Sequence, residues 1–112
     1  MHWIEDFRRT AKERWEYLEH GNSRKANGCF DKLKRISSEM YEQNQLQQLS
    51  VLLIDADDGV VFEAASKLLF VYPEQAIHAL NKLSQKRGMI SFCAEQTVRQ
   101  WKEGKMKNPF EK

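Results

Sequence analysis

An all-α fold of about six helices in antiparallel pairs is predicted by three features of the sequence. Apolar residues recur at steps of three and four along most of the chain, the spacing that lines one face of a helix. The five glycines and two prolines fall between those segments like punctuation. Alternating apolar and polar runs, the mark of strands, are almost absent.

The first segment places Trp3, Phe7, Ala11, Trp15 and Leu18 on one face, with charged residues elsewhere. His20 and Gly21 end it, because glycine enters the left-handed C-terminal conformation without a Cβ clash. In "EHGNSRKANGCFDKL", residues 19 to 33, the chain turns into a second helix capped by Asn22 or Ser23. Ala26, Phe30, Leu33, Ser37 and Met40 form its inward face, with Cys29 and Ile36 beside them. A third, shorter segment, NQLQQLSVLLIDADD, offers Leu46, Leu49, Leu52 and Leu53 before the Asp55 to Asp58 cluster. Asp57 or Asp58 can cap the helix that follows.

The fourth segment, GVVFEAASKLLFVY, repeats apolar doublets at Val60/Val61, Ala64/Ala65 and Leu68/Leu69. So wide a stripe predicts a central helix packed on several neighbours, with the alanines admitting close approach. Pro73 suits the first turn of a fifth helix, where its missing N–H is no loss, and Ala76, Ile77, Leu80 and Leu83 continue the core. Gly88 separates a sixth helix with Phe92, Ala94, Val98 and Trp101 inward and Gly104 at its end. Residues 105–112 read as a frayed or loosely docked tail. Residues 1–112 form one domain, which suits a chain of 112 residues. The later pairs look like related units, and stacked pairs make a short α-solenoid.

Composition narrows function by exclusion. Hydrophobic residues make up 41% and charged residues 30%, with a net charge of +2, too little to argue for a nucleic-acid partner. The N-terminal stretch lacks the apolar core of a signal peptide and no run reaches the length of a membrane span, so a cytoplasmic location is expected, with no membrane partner. Cys29 and Cys93, far apart, read as small packing residues. His2, His20 and His78 are isolated, and there is no zinc spacing, phosphate loop, nucleophile elbow or CxxC. No enzyme activity, cofactor or metal is expected. Glu74 and His78, four apart, are placed to pair across a helical turn. Trp15 and Trp101 are expected in the core and Trp3 at the surface. Asn27, an asparagine inside a helix, is expected to link its helix to a neighbouring backbone.

Charge is unevenly laid out. Residues 43–72 carry Asp55, Asp57, Asp58 and Glu63 against Lys67 alone, whereas residues 73–112 carry eight basic and four acidic residues. One aspartate suffices for a cap, which leaves an acidic surplus.

The segment from Asp57 through Leu83 resembles the HEAT-like helical repeat, with Phe62 where that repeat often has arginine. The order of YLEHGNSRKANGCFDKLKRI, DADDGVVFEAASKLL and AEQTVRQWKEGK is similar to a family of small uncharacterised bacterial HEAT-like proteins, whose turn, cap and in-helix asparagine correspond to Gly21, Asn22 and Asn27 here. Similar proteins act as immunity partners of toxin domains delivered between competing bacteria. The resemblance implies a helical stack that binds a cognate toxin protein and blocks its active site, and it carries over no catalytic residue. An acidic patch suits the phosphate-binding cleft of a nuclease toxin by charge complementarity. Asp55, Asp58 and Glu63, with Glu39 and Glu42 near in the chain, are the expected partner contacts. A helical-repeat adaptor for another protein is the alternative, and nucleic-acid binding through Arg99, Lys102, Lys105 and Lys107 a further one.

Overall fold

The computed structural model describes residues 2–110. Five α-helices and one 3-10 helix follow in order: α1 Trp3–Glu19, α2 Ser23–Glu42, the 3-10 helix Leu46–Ile54, α3 Asp58–Leu68, α4 Pro73–Ser84 and α5 Met89–Lys102. No strand occurs among the described residues, and no helix is long and apolar enough to cross a membrane.

Local chemistry explains most boundaries. Gly21 takes φ +74°, and the amides of Gly21 and Asn22 bond back to Leu18 and Tyr17 at 3.2 and 2.8 Å, which closes α1. One residue later the Asn22 side chain accepts from the Lys25 amide at 3.1 Å and opens α2. Asp57, rather than Asp58, caps α3 by accepting from the Val60 amide at 3.1 Å. Pro73 occupies the first turn of α4 as expected.

The third segment departs from the expected α-helical form in an instructive way. In a 3-10 helix residues i and i+3 eclipse one another, so the nine residues Leu46–Ile54 sort into three straight stripes. Leu46, Leu49 and Leu52 are buried; Gln47, Ser50 and Leu53 grade from exposed to half-buried; Gln48, Val51 and Ile54 face outward. Leucines exactly three apart are the sequence counterpart of that geometry.

Helix α3 is the hub. It packs on the 3-10 helix, α4, α1 and α5, while α1 pairs with α2 and α4 with α5. Val60, Ala64, Ala65, Leu68 and Leu69 are fully buried, which fulfils the wide stripe. Phe7 and Ala11 of α1, Leu33 and Met40 of α2, Leu49, and Ala76 and Leu80 of α4 complete one continuous core. The radius of gyration is 13.1 Å, the value of about 13 Å expected for a compact domain near this length.

Several side chains lie elsewhere than expected. Phe30 and Phe92 are 40% and 61% exposed. The buried stripe of α5 runs Ser91, Ala94, Val98, and position 92 lies about 100° from position 91 on a helix, which turns Phe92 out. Phe30 stands at the margin of the α2 stripe. Asn27 is exposed and makes no inward link, and Trp3 is half-buried against the core rather than free. Trp15 is 5% exposed, whereas Trp101 is half-buried and meets Phe70 edge to face at 5.2 Å. The tail is docked where it is described: Phe110 stacks on Tyr41 with centroids 4.7 Å apart, and Met106 packs on the core. Residues 111 and 112 of the expected frayed tail lie outside the described residues.

Candidate functional site

The end of the 3-10 helix and the start of α3 bring together two of the five expected contact residues. Asp55 leaves the 3-10 helix in an extended conformation, and its Oδ1 accepts from the Asp57 amide at 2.9 Å. Its Oδ2 takes a 2.7 Å hydrogen bond from Arg8 Nε on α1. Burial alone would raise this carboxyl, but the Arg8 hydrogen bond, the Asp57 amide and the charges of Arg8 and Lys12 outweigh it and hold the group below its ordinary value. Asp58, in the first turn of α3, pairs with Lys86 Nζ at 2.8 Å. Both carboxylates line a cleft of about 360 Å³ with Leu53, Val61, Leu83 and Lys86.

Beside this cleft runs the outer stripe of the 3-10 helix. Ile54 is 91% and Val51 60% exposed. Adjacent on one stripe, they make a short apolar ridge that ends at Asp55. Single exposed apolar residues are common; this pair precedes Asp55, whose side chain is 12% exposed, and Asp58, at 36%.

The remaining expected contacts are distributed differently. Glu63 is not at the surface: it is 2% exposed, accepts from Trp15 Nε1 at 2.9 Å and from Arg14, and is ion-paired with that arginine. Its place on α3 at the α1 interface explains why. Burial pushes its carboxyl up, opposed by the Arg14 charge and by the bonds from Trp15 and Arg14. Glu39 and Glu42 are exposed on the last turns of α2, a different element from the cleft. The acidic surplus read from sequence is thus largely answered inside the fold, Asp55 by Arg8, Asp58 by Lys86 and Glu63 by Arg14.

The basic third is answered in part as well. Arg99 pairs with Glu95 at 3.3 Å and Lys105 with Glu103 at 3.2 Å, while Lys102 and Lys107 are exposed. Glu74 and His78 are exposed and line a shallow groove with Trp101. Cys29 and Cys93 are free and half-buried, and burial raises both thiols, so neither is poised as a thiolate. Among the described residues no three of His, Cys, Asp and Glu converge as metal ligands.

Sequence reading missed two features. The Val51–Ile54 ridge was legible in the three-residue leucine spacing, which fixes the opposite stripe. The joining of Arg14 and Trp15 to Glu63 spans 49 and 48 positions and has no local signal. Compared with known protein families, curated proteins and solved structures, the chain has no match.

Proposed function

We propose that this chain is an immunity protein, a HEAT-like stack of helical hairpins that binds a cognate bacterial toxin domain, of nuclease type, and blocks its active site. The observation that carries the reading is the exposed Val51 and Ile54 on the 3-10 helix that ends at Asp55, with Asp55 and Asp58 lining the adjoining cleft beside Leu53. Protein interfaces pair a desolvated apolar centre with a polar rim, and this is the arrangement such a surface offers. Each aspartate is held in place by its own cation, Arg8 or Lys86. A basic toxin cleft could compete for those carboxylates without first ordering them, and complementary charge would speed the encounter. Glu63 has no part in that contact; its role is to fix α3 against α1. Glu39 and Glu42 belong to the proposal only as a distal acidic rim.

The test is co-expression with the product of the neighbouring open reading frame. A one-to-one complex and rescued growth are expected, and both should fail with Ile54→Asp and with Asp55→Lys combined with Asp58→Lys, in proteins that keep their helical circular dichroism. Rescue undiminished in the folded variants would reject this surface. A complex with a neighbour that is not toxic would favour the adaptor reading.

A further inference from the structure

Three cations gather on one side of α3, and one carboxylate serves them. Arg14 of α1 gives its guanidinium to Glu63 and lies 5.2 Å from the Trp15 ring and 5.1 Å from the Phe30 ring. Lys67, one turn after Glu63 on α3, sets its Nζ 5.3 Å from the same Phe30 ring. Lys34 stands one turn after Phe30 on α2, exposed, and its charge reaches Lys67.

The donors outnumber the acceptors. Glu63 Oε2 already accepts from both Arg14 and Trp15. Lys67 is only 8% exposed, yet among the described residues no hydrogen bond or ion pair reaches its ammonium. The Lys67 Nζ still touches solvent, whereas the Arg14 Nε is buried and lacks an acceptor. Three cations beside the single carboxylate Glu63 leave an excess of positive charge that burial makes costly, and the face of Phe30, shared between two cations, offsets only part of that cost. Burial, together with the charges of Lys34 and Arg14 and against that of Glu63, holds Lys67 below its ordinary pKa. An anion brought to this place would relieve desolvation and like-charge repulsion together.

The geometry points to a binding site for an oxyanion, a phosphate or carboxylate group seated against Lys67 and Lys34 at the edge of Phe30, with Arg14 behind it supplying positive potential. The site is independent of the toxin-binding reading, since it uses none of the ridge or cleft residues. Trp15 is its built-in reporter, because its indole N–H rests on the Glu63 oxygen that also holds Arg14.

The competing explanation is that Lys67 merely lays its stem along the core and lifts its head toward water. Thermal unfolding of the full chain, with inorganic phosphate or acetate replacing chloride at constant ionic strength, separates the two. A saturable rise in Tm is expected, with the Trp15 indole N–H resonance moving at the same midpoint, and both are lost in Lys67→Met and in Lys34→Gln. Saturation by phosphate alone assigns a phosphoryl group; saturation by acetate assigns a carboxylate. A non-saturating rise of equal slope in the wild type and Lys67→Met would be general exclusion of phosphate from protein surface and would overturn the site, as would no response to either anion. Lys67→Met keeps the apolar stem; should it fail to fold, Lys34→Gln, at an exposed position, decides the question.

Discussion

Gly59→Ala tests the closest approach in the fold. A Cβ on Gly59 would fall 2.6 Å from Trp15 Cδ1, 2.9 Å from Cγ and 3.1 Å from Asp57 Oδ1, so the indole or α3 must yield by about 1 Å to restore ordinary van der Waals contact. The ring has little room. It is 5% exposed, meets Phe62 edge to face at 5.5 Å and donates to Glu63 at 2.9 Å. Overpacking of this kind costs about 1–3 kcal/mol, and weakening the bond to the carboxylate adds to it, up to about 1.5–3 kcal/mol if the bond is lost. Against this stands the roughly 1 kcal/mol by which alanine exceeds glycine in a helix. A net loss of about 2 kcal/mol is expected, a fall in Tm of roughly 8 °C at the shallower end of the scaling for small domains. Urea unfolding followed by circular dichroism measures it, with an unchanged slope against denaturant. In a Trp15→Leu background the penalty should shrink to near zero, because a flexible side chain gives way. If Gly59→Ala is neutral or stabilising in the wild-type background, the Trp15–α3 contact has been misjudged.

Three further outcomes are expected. Glu63→Ala should destabilise by about 3–5 kcal/mol, since it strands the Arg14 charge it now pairs, and Glu63→Gln should cost less because the amide oxygen still accepts from Trp15; chemical denaturation ranks the pair. Asp55, whose carboxyl lies below its ordinary 3.8, binds fewer protons folded than unfolded, so its contribution is full above that value and fades as pH falls through the folded one. The loss of stability from about pH 5 downward should therefore be shallower in Asp55→Asn, read from denaturation midpoints across pH. Ile54→Asp, at a site 91% exposed, should change stability by no more than about 0.5 kcal/mol while weakening partner capture, as calorimetry of the pair would register.

What was legible in the sequence follows the range of the interactions. The Gly21–Asn22 reversal, the aspartate cap of α3 and Pro73 depend on neighbours within a few residues, and each sits where its chemistry placed it. The doublets of α3 announced a helix surrounded by others because burial on several sides demands a wide apolar stripe. The helical type of Leu46–Ile54 was obscured because leucines at steps of three turn Val51 and Ile54 outward in an α-helix and in a 3-10 helix alike, and only the backbone separates the two. Acidic residues near one another in the chain suggested a patch, yet Arg8, Arg14 and Lys86 come from other elements to meet them. Charge counted along the chain is blind to such pairing. Phe30 looked like core because its spacing is right, and its actual neighbours, Arg14 and Lys67, arrive from α1 and α3.

Amide hydrogen exchange of the chain, alone and with the product of the neighbouring open reading frame, tests the proposed binding face most directly. The outer stripe of a short 3-10 helix has weak hydrogen bonds and should exchange quickly when free. Marked slowing across residues 48–58 in the complex is the expected result. Protection confined to residues 99–107, with 48–58 unchanged, would contradict the assignment and move the contact to the basic end of α5.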